Sequence, residues 1–173
     1  MKTKLLLIFL FIFLIVALTA KEKFKIESPS FKNGNNIPMK FTCDKENISP
    51  EIRWYNEPDQ TKSLVLICDD PDAPVGVWVH WVVYNINPNL SGIPENYISQ
   101  NNLKMTEGKT DFGSIGWGGP CPPNGKHRYF FKLYAVDIET NYPEGLTKAQ
   151  ILEKIKHHTI TETSFYGTYE RTK

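Results

Sequence analysis

The chain has 173 residues, with 20 basic and 19 acidic side chains and a formal net charge of +1. That length suits one domain with an adequate core, and the balanced charge excludes a nucleic-acid-binding protein, because a phosphate backbone demands a strongly basic face. An aromatic content of 13% excludes a disordered chain, and three cysteines are too few for a disulfide-framework fold.

Lys2 and Lys4 precede an apolar run from Leu5 to Leu18, which ends in Thr19, Ala20 and the charged Lys21-Glu22-Lys23. A basic start, an apolar stretch and a small residue at the end describe a secretory signal peptide. The run is short for a membrane span, which takes about 20 apolar residues. Residues 1–20 are therefore read as a signal peptide. An uncleaved anchor is the alternative, since Leu18 is large for the third position before a cut after Ala20. Residues 21–173 are read as a single domain carrying 18 basic and 19 acidic side chains. The expected location is secreted or periplasmic, or membrane-anchored if the segment stays, and disulfides are permitted there. Asn47-Ile48-Ser49 and Asn89-Leu90-Ser91 fit the glycosylation triplet, which matters only in a host that glycosylates.

Along the remaining chain, Phe24-Lys25-Ile26-Glu27 alternates apolar and polar residues and predicts a short strand. Asn33-Gly34-Asn35-Asn36 is a turn cluster. Ile52 to Tyr55 predicts a second short strand. Ser63 to Cys68 is a compact apolar run that predicts a buried strand. It stops at Asp69-Asp70-Pro71-Asp72-Ala73-Pro74, where two prolines forbid ladder pairing. Val77 to Ile86 is rich in β-branched and aromatic residues. His127 to Val136 is the longest predicted strand. Tyr129, Phe131, Leu133 and Ala135 fall on one face and Phe130, Lys132, Tyr134 and Val136 on the other, so the strand should be covered on both sides. One helix is predicted: Thr147 with Gln150 has the capping-box form, Ile151, Leu152 and Ile155 make an apolar stripe, and His157 and His158 sit in the last turn. Phe165 to Arg171 is read as a final strand or extended segment. Short strands separated by turn signals point to a mostly β protein, an antiparallel β-sandwich.

Chemically capable groups gather in two stretches: Asp70 to Pro74 followed by Trp78-Val79-His80-Trp81, and Gly116 to Tyr129. A carboxylate at a strand end, a histidine inside an apolar strand and His127-Arg128-Tyr129 entering another strand can converge in space. The Gly-rich segment between them can bring backbone N–H groups close to a ligand, and such turns make anion-binding concavities. Taken alone, His80 reads as a satisfied core histidine and Asp70 and Asp72 as turn formers.

Together, Asp-Pro-Asp-Ala-Pro at 70–74, Trp-Val-His-Trp at 78–81 and Gly-Pro-Cys-Pro-Pro-Asn-Gly-Lys-His-Arg-Tyr at 119–129 resemble the phosphatidylethanolamine-binding protein family, which includes the Raf kinase inhibitor proteins and small bacterial and archaeal relatives. The resemblance covers nearly all of residues 24–173. Cys43 to Pro50, Thr110 to Gly113 and Gly167 to Arg171 add to it. The short spacing between Pro74 and Trp78 is similar to the prokaryotic branch. The resemblance implies two antiparallel sheets with one or two helices in the C-terminal half. It also implies a small surface pocket for phosphate or a phosphorylated headgroup, with no cofactor. Carried onto this sequence, the pocket takes Asp70, His80, His127 and Tyr129, with the backbone of Gly119 and Cys121 and the ring of Pro122 as its wall. It further implies a cis peptide at Ala73–Pro74.

These residue types suit an anion: imidazole, phenol and backbone N–H groups donate to its oxygens. Asp70 is suited either to orient a histidine ring, raising its basicity, or to receive a ligand ammonium. Trp78 and Trp81 are expected to flank the mouth. Cys121 beside His127 could be a nucleophile with its base. A disulfide is the other reading; since Cys68 falls in the predicted buried strand, Cys43 and Cys121 are the expected pair. Metal-site spacing is absent. The leading expectation is a non-enzymatic binding protein for a phosphorylated small molecule or phospholipid headgroup. The alternatives are an extracytoplasmic inhibitor of a protease or kinase, and a hydrolase using Cys121 or His127.

Overall fold

The computed structural model describes residues 22–98, 103 and 105–171; the signal-like segment lies outside them. Among the described residues eight strands and one α-helix follow in order: β1 (Lys25–Glu27), β2 (Ile52–Tyr55), β3 (Ser63–Asp70), β4 (Trp78–Ile86), β5 (Gly92–Ile93), β6 (Thr106–Glu107), β7 (Lys126–Val136), α1 (Lys148–Ile155) and β8 (Thr159–Glu170). They form two antiparallel sheets, ordered β1-β2-β5 and β6-β4-β3-β7-β8. β5 and β6 are too short to leave a periodic signal. β8 starts six residues before the predicted Phe165, because Thr159 to Ser164 is mostly polar and pairs through its backbone with Val136 to Lys132.

Side-chain alternation explains how the layers stack. Ile26, Ile52 and Trp54 of the small sheet meet Leu64, Leu66, Trp81, Phe131 and Leu133 of the large one in the main core. On the opposite face of the large sheet, Val65, Ile67, Val82 and Val136 pack with Ile151 and Ile155 of α1. β3 lies in the middle of both layers, and all eight of its residues are buried. α1 begins with the predicted capping box, in which Gln150 Oε1 accepts the Thr147 N–H at 2.9 Å. It ends at Ile155, so His157 and His158 lie beyond it, and His158 Nδ1 bonds Asp137 at 2.9 Å.

Two irregularities interrupt the β3–β4 ladder, and the first lies at the site. Cys68 pairs with Trp81 but Asp69 with Val79, so His80 is an extra residue on β4. This bulge re-aims the side chains beyond it. Val79 packs on the helix side while Trp81, two residues on, packs in the main core. Trp81 is therefore fully buried, its indole N–H donating to Glu107 Oε1 at 2.8 Å, and does not flank a mouth as expected. The second irregularity falls between the Leu64 and Leu66 pairs, where Asn85 takes a φ of 55°. Its side-chain amide donates to Thr106 Oγ1 and the Tyr142 carbonyl, both at 2.8 Å, so the bulge is stitched to the neighbouring loops.

β3 runs two residues further than predicted, through Asp69 and Asp70. Ala73–Pro74 is trans, as are all peptide bonds between described residues. The Gly76 N–H donates to the Ala73 carbonyl at 3.0 Å, which puts Pro74 second in a four-residue turn. A trans proline suits that position; a cis proline belongs at the third.

Asp69 points to the helix side, 1% exposed, with Lys132 Nζ at 2.9 Å and the Lys148 ammonium as a second partner. It ties β3, β7 and the first turn of α1 together. Asp69→Ala should cost about 2 kcal/mol, since two ammonium groups lose their acceptor beside a buried site. Urea unfolding of the variant measures this.

Candidate functional site

β4, β3 and β7 are neighbours in the large sheet, and their adjacent ends bring the predicted groups together. Asp70 is the last residue of β3, Trp78 and His80 open β4, and His127 and Tyr129 open β7. Because Asp69 faces the helix, Asp70 faces the main core. A cavity of about 280 Å³ lies there, lined by these five residues, by Ala73, Pro74 and Val75, and by Phe112, Cys121, Pro122 and Pro123.

The polar end is fixed by hydrogen bonds. His127 Nδ1–H donates to Asp70 Oδ2 at 2.7 Å, with both side chains almost wholly buried. Asp70 Oδ1 accepts the Asp72 N–H at 2.8 Å. Each carboxylate oxygen thus accepts one hydrogen bond, and Asp70 orients the His127 ring. His80 Nδ1–H donates to the Gly118 carbonyl at 2.5 Å, and the Gly118 N–H donates back to the His80 carbonyl at 2.9 Å. With Nδ1 donating in each ring, Nε2 is the nitrogen available to a ligand. In a neutral ring it is a lone pair; on protonation it becomes a donor.

Burial pushes the His80 imidazole below its ordinary value, against the opposing pull of the Gly118 carbonyl and of Asp70, Asp69 and Asp111. Burial, followed by the charge of Asp70, drives the Tyr129 phenol far up, so it stays a neutral O–H. That hydroxyl is buried without a hydrogen-bond partner, as is the Trp78 indole N–H. The His80 ring sits edge-on to Tyr129 and Phe112, with centroids at 5.0 and 5.2 Å. Asp72 stays outside the cavity. Arg128 grips it through Nε and NH2 at 2.8 and 2.7 Å and holds its carboxyl down at about 2, so it anchors the loop.

The Gly-rich segment is braced from the chain between the Met39–Phe41 3-10 turn and Asn47. Trp117 Nε1 donates to the Phe41 carbonyl at 3.1 Å, the Cys43 N–H donates to the Pro120 carbonyl at 3.1 Å, and the Gly119 N–H donates to Asn47 Oδ1 at 2.9 Å. Gly119 therefore does not line the cavity, contrary to expectation: its N–H is already used, and a Cβ there would strike Asn47 Oδ1 and the Phe41 carbonyl. Cys43 and Cys121 form a disulfide with a Cα–Cα distance of 5.4 Å. Bonded in this way, Cys121 has no thiolate to act as a nucleophile. Cys68 is free but buried, and burial drives its thiol well up. Among the described residues no three His, Cys, Asp or Glu side chains gather where they could hold a metal ion.

The sequence reading missed Val75, Phe112 and Pro123 as lining residues, and Asn47 and the Gly118 carbonyl as braces. Apolar rims carry no chemical signature. Asn47 becomes relevant only through a bond to a residue 72 positions away.

Fold and site together define a β-sandwich with a histidine-bearing cavity at one end of its large sheet. The family model described as phosphatidylethanolamine-binding protein matches residues 27–170. The UPF0098 protein of Methanothermobacter thermautotrophicus is 44% identical over 148 residues, covering 84% of this chain and 98% of the relative. Among solved structures, a phosphatidylethanolamine-binding protein homologue from Chlamydia trachomatis superposes with a TM-score of 0.81 at 39% identity, covering 86% of this chain and 98% of its own. E. coli YbcL, described as a member of the mammalian PEBP family, gives 0.80 at 28% identity, covering 87% and 100%. The chain belongs to the phosphatidylethanolamine-binding protein family.

Asp70→Asn tests the orienting bond. An amide can turn its NH2 toward the ring and favour the other tautomer, so nitrogen NMR of His127 should change from one Nδ1–H form to a mixture, with circular dichroism unchanged.

Proposed function

We propose that the protein is a non-catalytic binding protein that holds a small oxyanion, phosphate or a phosphorylated headgroup, in this cavity. One observation carries the reading. Two imidazoles are tied down through Nδ1 beside a buried Tyr129 hydroxyl that has no protein partner. A buried polar group without a partner costs about 1–3 kcal/mol, which a ligand oxygen would recover. The Asp70–His127 pair could serve a general base, but its neighbouring sulfur nucleophile is locked in the disulfide, which favours holding over turnover. The signal-like start and the disulfide support an extracytoplasmic location. A second reading, a regulator of an extracytoplasmic protein partner such as a protease, draws on Val75 and Val77, which are 78% and 53% exposed on one loop beside the mouth. Isolated exposed apolar side chains are ordinary, so it ranks below the anion reading.

An anion at His80 Nε2 favours the imidazolium that burial disfavours, so binding should take up a proton. Sulfate keeps its charge across the range, so the pH dependence of its binding belongs to the protein. Its affinity should rise as pH falls through and below about 6.5, the ordinary imidazole value, because burial holds the unliganded His80 neutral there. Calorimetry with phosphate should show His80→Ala and His127→Ala each weakening binding about tenfold or more, the worth of one charge-assisted bond. Unchanged affinity in both folded variants would overturn the proposal.

A further inference from the structure

The chain carries two asparagines followed directly by glycine, at Asn33-Gly34 and Asn124-Gly125. This dipeptide is chemically labile. The main-chain nitrogen of the second residue can attack the side-chain amide carbon of the first, and glycine, having no Cβ, leaves that approach open. The two sites offer the same groups, and both asparagines are exposed, so neither sequence nor exposure separates them. Their hydrogen bonds do.

At Asn33-Gly34 one residue of β8 holds both reacting groups. The Tyr166 N–H donates to Asn33 Oδ1 at 3.0 Å, and the Gly34 N–H donates to the Tyr166 carbonyl at 2.8 Å. The amide that would be attacked and the nitrogen that would attack it are each tied down, and closing a ring there breaks both bonds. Asn124-Gly125 has neither restraint. It lies in the exposed loop between the Cys43–Cys121 disulfide and β7. The Asn124 side chain and the Gly125 N–H have no hydrogen-bond partner among the described residues. A Cβ placed on Gly125 would meet nothing within 4 Å, so no neighbouring group crowds the approach.

We propose that Asn124 is a site of spontaneous deamidation, which the fold leaves open there and blocks at Asn33. The Gly125 nitrogen gives up its proton and bonds to Asn124 Cγ. The Cγ–Nδ2 bond breaks, and Nδ2 departs with that proton as ammonia. Water then opens the resulting succinimide at either carbonyl, giving aspartate or isoaspartate. The net change is water gained and ammonia lost, with nothing oxidised or reduced. The product puts a carboxylate into the surface groove that Asn124 shares with Lys126. The isoaspartyl form also lengthens the main chain by a methylene just ahead of the Lys126–Glu170 pair that opens the β7–β8 ladder.

The test incubates the purified protein at mildly alkaline pH, where the amide nitrogen deprotonates more readily, both folded and in urea. Peptides from an acid-stable digest are read by mass spectrometry, and a protein isoaspartate methyltransferase marks the isoaspartyl product. In the folded protein Asn124 should convert about tenfold faster than Asn33, or more, because the two hydrogen bonds at Asn33 must open first. In urea the two sites should convert at similar rates. Ion exchange should show an acidic form accumulating from the folded protein, and Asn124→Gln should abolish it with circular dichroism unchanged. Equal rates at the two sites in the folded protein would overturn the proposal. So would an Asn124 that stays intact when folded over the time in which it converts in urea. Asn33 staying intact in urea as well would overturn the protection assigned to Tyr166.

Discussion

The hydrogen bond between Asp70 and His127 is the contact around which the rest of the site is arranged. The two residues lie 57 positions apart in sequence, on neighbouring strands, 2.7 Å from each other and almost wholly buried. A buried carboxylate is costly unless both oxygens are engaged. Here one takes the imidazole N–H and the other the N–H of Asp72, whose own side chain is fastened by Arg128. The turn that follows β3, the start of β7 and the orientation of His127 are thereby one unit.

The opposite side of the cavity depends on a brace. His80 and Gly118 exchange two hydrogen bonds, and the segment from Trp117 to Cys121 is held by Phe41, Cys43 and Asn47 through three more and a disulfide. Rigid walls matter for a small cavity because a ligand gains only what it does not spend on ordering its site. The bulge at His80 contributes to the same end. It lets β4 direct His80 into the cavity and Trp81 into the core within two consecutive residues.

Much of this was legible in the residues. The strand segments Lys25–Glu27 and Ile52–Tyr55, the doubly covered β7 and the capping box on α1 follow from periodicity and cap chemistry. The family resemblance points to Asp70, His80, His127 and Tyr129, three donors for an anion and one carboxylate to orient a ring, and the structure gathers all four around one cavity. Four details did not follow. Trp81 turned inward, Gly119 spent its N–H on Asn47, Ala73–Pro74 stayed trans inside an ordinary turn, and the apolar rim of Val75 and Phe112 gave no signal.

The sequence by itself determined the strands other than β5, β6 and the first half of β8, together with the helix cap and the set of polar groups that chemistry could use, because each depends on side chains a few positions apart. Only the tertiary structure decided how those groups are engaged: that Asp70 orients the His127 ring, that each Nδ1 is tied down, and that Gly119 is a brace rather than a wall. The physical reason is that a hydrogen-bonding group is defined by the partner it finds. In this fold those partners arrive from strands and loops 38 to 72 residues away, past a bulge that breaks the two-residue period on which any sequence reading of side-chain direction rests.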